Sequence, residues 1–180
     1  LTTDDVFVAL GSNLGDSDEI LLRAWQQIGS SDSIGLKALS PPFLTAPVDM
    51  ISQHWFVNAV GHLTTTLTSG DLLDLLLETE KLFGRARDKS GTGYQDRTLD
   101  LDLLYFGSEI MDNPRLTLPH PRRVDRLFVL APMASLAPEF VDPELSRTID
   151  EIHRGLLKKI EDKVLAKQEI SVGSWPEIGD

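Results

Sequence analysis

The segment from Arg97 to Phe106 holds the residues best suited to chemistry: Arg97, Asp100 and Asp102. The Leu, Tyr and Phe around them, stopped by Gly107, predict a β-strand. Side chains alternate along a strand, so Asp100 and Asp102 share one face, roughly 6.5–7 Å apart. Leu99, Leu101 and Leu103 take the opposite face and predict a core. Two adjacent carboxylates repel, and each resists burial unless paired. A divalent cation resolves both problems. Hard oxygen donors in ones and twos, with the rest of the shell left to water and phosphate, describe a Mg²⁺ site. The alternative is the solvated face of an edge strand. Arg97 favours the site, because a guanidinium binds phosphate oxygens in pairs.

Charge placement points the same way. The chain carries 17 Lys+Arg against 28 Asp+Glu, a net charge of −11. That speaks against a nucleic-acid partner, whose binding is driven by phosphate neutralisation. Yet Lys81, Arg85, Arg87, Lys89, Arg97, Arg115, Arg122, Arg123 and Arg126 fall within a central stretch. A basic cluster on an acidic chain suits a small polyanion; chance clustering on solvated faces is the alternative. The 180 residues, 41% hydrophobic and 25% charged, predict one domain over 1–180, its core in about 6–138 and a C-terminal helix and tail in 145–180. No apolar run approaches the ~20 residues of a membrane span, so no membrane partner is expected. Leu1 to Asp5 lacks a signal-peptide pattern, and the start at Leu1 reads as a trimmed or engineered end. The absence of cysteine removes disulfides and thiolate chemistry and fits a cytoplasmic protein.

The elements that must position these residues follow in order. Val6–Leu10 reads as a strand, and Gly11–Asp16 as a turn into a helix with Ile20, Leu21, Ala24, Trp25 and Ile28 at helical spacing. The turn does not match a G-x-G-x-x-G fingerprint. Ile34–Ser40 predicts a strand, and Phe43–Ser52 a loop around Pro47. His54–Leu67 predicts a long strand in which Asn58 is the polar exception. A buried Asn must be hydrogen-bonded; it is either satisfied locally or a recognition group offering donor and acceptor together. Thr68–Asp71 resembles a capping box opening a helix to Phe83, closed by Gly84. Arg85–Asp96, rich in Gly and charge, is a candidate mobile loop. After the Asp strand, Met111–Pro121 reads as a loop, and Asp125 as a cap for a helix that Pro132 kinks or splits. Thr148–Ala166 predicts a helix, and residues after Lys167 carry little signal. Strands split between helices favour an α+β fold: a ferredoxin-like α/β sandwich with a mainly antiparallel sheet, helices on its faces and mobile active-site loops.

Several segments together resemble the 6-hydroxymethyl-7,8-dihydropterin pyrophosphokinase family of folate biosynthesis. They are Val8–Asp16, Trp55–Val60, Gly84–Arg87, Arg97–Asp102 and Leu116–Arg122, the last two most specific. The resemblance spans roughly Val6 to Pro138. It implies transfer of a pyrophosphoryl group from ATP to the pterin hydroxymethyl, with release of AMP. It implies that Asp100 and Asp102 hold two Mg²⁺, and that Arg85, Arg87 and Arg97 join them as catalytic residues. Glu80, Leu103, Arg115, Thr117, His120 and Arg126, with Arg85 and Arg97, are implied ATP contacts. Thr45, Ala46, Val48, Phe56, Asn58, Tyr94, Asp100 and Phe128 are implied pterin contacts, though core packing is the plain reading of Phe56 and Phe128. The partners implied are ATP and the pterin, with functional or fused neighbours in the folate pathway.

The chain departs from the family pattern in one loop. Gly93-Tyr94 stands where the family usually carries Arg-Trp, and Gln95-Asp96 replaces Gly-Pro. Asp49 stands where Gly is common. Tyr94 can still cover the pterin, and Lys89 is the expected partial substitute for the missing Arg. Two rival classes remain on the residues alone. A nucleotidyltransferase also pairs Asp residues on a strand but releases pyrophosphate. A ligand-binding module of the same fold has no need of Asp100, Asp102 and an Arg cluster together.

Overall fold

The computed structural model describes residues 2–46, 54–84 and 98–176, apart from the side chain of Asp4. Its elements in chain order are β1 (Thr3–Ser12), α1 (Ser17–Gly29), β2 (Ile34–Leu39), β3 (Phe43–Thr45), β4 (Phe56–Thr65), α2 (Ser69–Leu82) and β5 (Asp100–Phe106). There follow β6 (Met111–Asp112), β7 (Thr117–Leu118), α3 (Leu127–Leu136), β8 (Val141–Asp142), β9 (Arg147–Thr148), α4 (Ile149–Glu161) and β10 (Ile170–Val172).

The main sheet runs β10-β3-β4-β1-β5, and β2 also pairs with β4. Every pairing is antiparallel. β4 is long enough to hold two partners in tandem on one edge: β3 beside Phe56–Asn58 and β2 beside Gly61–Thr65. With β1, β2, β4 and β5 as the frame, the order is β-α-β-β-α-β and the fourth strand lies next to the first. This is the α+β sandwich expected from the sequence.

Strand alternation divides the core in two. Val6, Val8 and Leu10 of β1, with Leu101 and Leu103 of β5, pack against Leu21, Trp25 and Ile28 of α1 and Leu72 and Leu76 of α2. Phe7, Val60, Leu104 and Tyr105 pack against Leu127, Leu130 and Met133 of α3 and Ile152 and Leu156 of α4. Leu104 and Tyr105, adjacent in sequence, share the second core because the β1–β5 register shifts between Phe7 and Val8. Gly61 leaves room for Trp25, whose ring atoms would lie 2.3 Å from an added Cβ.

Helix starts follow their caps. Asp16 caps α1 through Glu19 N at 3.2 Å. Thr68 caps α2 through Asp71 N at 3.1 Å, and its hydroxyl donates to the Asp71 carboxylate. Thr148 and Glu151 form a full capping box on α4.

Five expectations need correction. The stretch begun at Phe43 is not all loop: Phe43–Thr45 is β3, held by the free edge of β4 rather than by its own length. Met111–Pro121 contains the β6–β7 hairpin. α3 runs through Pro132 unsplit, because the buried Leu127, Val129, Leu130, Ala131 and Met133 hold it in place. Its N-cap is Arg126, not Asp125. Finally, the segment after Lys167 is ordered into the sheet as β10. Among the described residues no helix is long and apolar enough to cross a membrane.

Candidate active site

Asp100 and Asp102 open β5, half-exposed, while the alternating Leu99, Leu101 and Leu103 are buried. β5 is the edge of the sheet, so this end is flanked by other elements rather than by a strand. Glu80 of α2 is 2% exposed, and its Oε1 accepts from the edge-facing Leu101 N at 2.8 Å. The Thr98 hydroxyl donates to Phe83 O at 2.8 Å. These two bonds fix the end of α2 against the start of β5. Glu80 thus acts on the strand that carries both aspartates.

On the other flank, His120 N donates to Leu104 O at 2.9 Å. This docks the segment after β7 along the same edge. The His120 Nδ1 accepts from Arg122 N at 3.2 Å, so a neutral ring carries its hydrogen on Nε2. Burial lowers the His120 pKa, partly opposed by the Asp100 charge. Neutral imidazole is therefore the resting form, with an N–H to offer.

Between these flanks lies a cavity of about 510 Å³. Asp102, Leu103, Arg115, Thr117 and His120 line it, as do Leu73 and Leu77 of α2. Four of the expected nucleotide contacts therefore surround one space. Leu73 and Leu77 were not singled out from sequence. They sit one helical turn apart beside the buried Leu72 and Leu76, so α2 is apolar well beyond the width its core face needs. That excess was the available signal. Arg115 is exposed and ion-paired with Asp74, and the Thr117 hydroxyl donates to Asp112 at 2.8 Å.

On the other side of Asp100 a row of residues crosses the sheet. Asn58, Gly11 and Asp100 are direct cross-strand partners on β4, β1 and β5. Residues opposed in this way share a face. The row lies on the face covered by α3, where Phe7 and Val60 are also found. Gly11 keeps the row open, since an added Cβ would lie 3.0 Å from Asn58 Oδ1. Asn58 is 7% exposed, and its Nδ2 donates to the buried Thr45 hydroxyl at 2.8 Å. It is an interior-strand residue, not an edge one. Phe56 is 9% exposed, opposite Thr45. At the start of α3 the Arg126 guanidinium lies over Phe128, 5.4 Å from the ring centroid. Ala46 follows β3 directly. Val48, Asp49, Arg85, Arg87, Lys89, Gly93, Tyr94, Gln95, Asp96 and Arg97 lie outside the described residues.

A polar network not foreseen from the sequence supports this end. Arg123 is 3% exposed and grips Asp142 with two bonds, Nε to Oδ2 at 2.6 Å and Nη2 to Oδ1 at 3.0 Å. Tyr105 donates to the same carboxylate at 2.8 Å, and Arg123 Nη1 donates to His120 O at 3.2 Å. Burial alone would raise the Asp142 pKa, but the Arg123 bonds outweigh it and hold it low. Burial and Asp142 together raise that of Tyr105. From sequence, Arg123 was one of a cluster of cations and Asp142 was unmarked.

An α+β sandwich with paired aspartates between a nucleotide-sized cavity and a buried amide defines a phosphoryl-transfer enzyme acting on a small acceptor. The model of the 7,8-dihydro-6-hydroxymethylpterin-pyrophosphokinase family matches residues 7–138. The chain is 42% identical over 139 residues to the 2-amino-4-hydroxy-6-hydroxymethyldihydropteridine pyrophosphokinase of Pseudomonas aeruginosa, covering 77% of this chain and 84% of that one. It is 36% identical over 161 residues to the enzyme of that name in Haemophilus influenzae, covering 89% and 96%. Among solved structures, the wild-type HPPK-DHPS of Plasmodium falciparum with pteroate matches with a TM-score of 0.70 at 11% identity. That match covers 93% of this chain and 47% of that chain, so this chain spans about half of it. The chain belongs to the 7,8-dihydro-6-hydroxymethylpterin-pyrophosphokinase family, a family of pyrophosphokinases in folate biosynthesis.

Proposed function

We propose that this chain transfers the pyrophosphoryl group of MgATP to the hydroxymethyl of 6-hydroxymethyl-7,8-dihydropterin. The hydroxyl oxygen bonds to the β-phosphorus, the bond from that phosphorus to the α,β-bridging oxygen breaks, and AMP leaves. The observation that carries the reading is the position of the aspartates. Asp102 lines the cavity, and Asp100 ends the row that begins at Asn58.

The donor set fits Mg²⁺. Two half-exposed carboxylates offer hard oxygens, and no group of three or more His, Cys, Asp or Glu among the described residues competes for it. Asp100 and Asp102 would hold two such ions between them. When bound, Mg²⁺ supplies charge neutralisation and alignment of the phosphate oxygens, which this chemistry needs more than covalent catalysis.

The chain's own residues do the rest. Leu73, Leu77 and Leu103 offer an apolar wall to the adenine. The neutral His120 donates to ribose or phosphate oxygens and the Thr117 hydroxyl accepts from a ribose hydroxyl, while Arg115 and Arg126, with Arg85, Arg87 and Arg97, supply positive charge. Asn58 reads the pterin edge, Phe128 and Phe56 offer it aromatic surface, and Thr45 and Ala46 form its side wall with Val48 and Tyr94. Glu80 acts as a positioning residue through Leu101.

Product analysis tests the proposal. Protein, MgATP and 6-hydroxymethyl-7,8-dihydropterin are mixed and the nucleotides resolved by chromatography. The expected product is AMP, formed only with both pterin and Mg²⁺ and lost on chelation. ADP would mean a single phosphoryl transfer, and free pyrophosphate a nucleotidyl transfer; either would overturn the reading.

A further inference from the structure

The segment Gln168–Trp175 lies beyond residue 138, where the family match ends. It touches both walls of the proposed pterin slot. α3 begins at Arg126 with no side-chain cap, which leaves its first amides in need of acceptors. Gln168 Oε1 accepts from Leu127 N at 2.8 Å, and Gln168 Nε2 donates to Asp125 O at 3.2 Å. One side chain thus clasps the turn on both sides of Arg126, immediately before Phe128.

The next residue turns to the opposite wall. Ala46 N donates to Glu169 O at 3.1 Å. Ile170, Ser171 and Val172 then pair with Thr45, Leu44 and Phe43. Gly173 N donates to Pro42 O, and Trp175 Nε1 to Ser40 O, both at 2.8 Å. β3 has three residues and would otherwise be a free edge. Its Thr45 hydroxyl accepts from Asn58. Only Glu169 separates Gln168 from Ile170, so the anchors on the two walls lie two residues apart along the chain.

We infer that residues 168–175 are a strap that positions the pterin slot, with Gln168 fixing the α3 wall and β10 fixing the β3 wall. The inference rests on the reading of Phe128, Thr45 and Asn58 as that slot. Gln168 is a positioning residue: it acts through Leu127 and Asp125, not on the substrate. A purely structural tail would affect both substrates alike. A positioning strap affects the pterin more than ATP, because the ATP cavity lies on the far edge of the sheet, along β5, and Arg126 is the one proposed nucleotide contact beside the strap.

The test uses the full chain and calorimetric titration of 6-hydroxymethylpterin, with a non-hydrolysable ATP analogue present throughout. Gln168→Ala is expected to raise the pterin Kd about tenfold, the order expected for two lost hydrogen bonds. The Kd of the ATP analogue should rise by a smaller factor, and the melting temperature should fall by a few degrees at most. Gln168→Glu keeps the acceptor for Leu127 N and should recover part of the loss. The strap is overturned if Gln168→Ala leaves the pterin Kd unchanged, or if both Kd values rise by the same factor. Phe128→Ala separates the two readings. If it weakens pterin binding and Gln168→Ala does not, the strap alone falls. If it leaves pterin binding intact, the slot falls and the strap with it.

Discussion

The two ends of β5 put acidic and basic groups to opposite uses. At its far end, Tyr105 enters a closed network with Asp142 and Arg123, all at most 3% exposed. There Asp142 is spent entirely on protein donors, including Glu144 N and Leu145 N. At its near end, Asp100 and Asp102 stay half-exposed beside open space. The closed network holds the 120–126 segment in place through Arg123. The half-exposed pair lies where a cation can reach it. A carboxylate that is fully satisfied by its own protein can support a site, but it cannot bind a metal there.

The sharpest way to break this contrast is to remove each acid in turn. Asp100→Ala and Asp102→Ala should each lower AMP formation by about a thousandfold, the scale of losing a directly acting charged group. Their urea unfolding midpoints should stay close to wild type, since both carboxylates are half-exposed rather than buried in the core. Asp142→Ala should do the reverse. It strands a buried guanidinium and should cost about 3–5 kcal/mol in urea unfolding. Turnover per folded molecule should fall far less than in the strand variants. Equal catalytic losses in all three would end the distinction between the two ends of β5.

Smaller perturbations sharpen it. Gly11→Ala brings a Cβ against Asn58 Oδ1, between the Asn58 amide and the Asp100 carboxylate. It should raise the pterin KM several-fold, with the ATP KM nearly unchanged, as read by initial rates. Leu73→Ala should show the opposite pattern, a several-fold rise in the ATP KM alone. The smallest effect expected is on acid stability. Burial holds the His153 pKa below its usual value, partly opposed by Asp150. The unfolded chain therefore takes up that proton first as pH falls below about 6.5. Stability should decline from there downwards until the folded ring also titrates. His153→Gln should flatten the difference between urea midpoints at pH 7.5 and 5.5.

What the sequence disclosed follows from periodicity. Asp100 and Asp102 could be assigned one face because strand side chains alternate, and the framing leucines said which face was core. Asn58 stood out because it breaks an apolar strand. Leu73 and Leu77 were hidden in a run of leucines, where a helix written to bury both sides loses its contrast. β3 and β10 were hidden for another reason. Three-residue strands carry no period, and each forms only because a neighbouring edge is available. The Arg123–Asp142 pair joins residues from separate turns, and nothing local to either one announces the other. Arg97, which tipped the first reading towards phosphate, lies outside the described residues.

The late position of β10 also bears on how the chain is made. Phe43–Thr45 leaves the ribosome far ahead of Ile170–Val172, its partner in the finished sheet. At ordinary synthesis rates the interval is roughly ten seconds. For that time one border of the nascent sheet offers unpaired amides and carbonyls to any other extended chain nearby. Pro41 and Pro42 stand directly before this border, and neither can donate a hydrogen bond to an intruding strand. The chain thus carries its own guard against mispairing until translation delivers the proper partner.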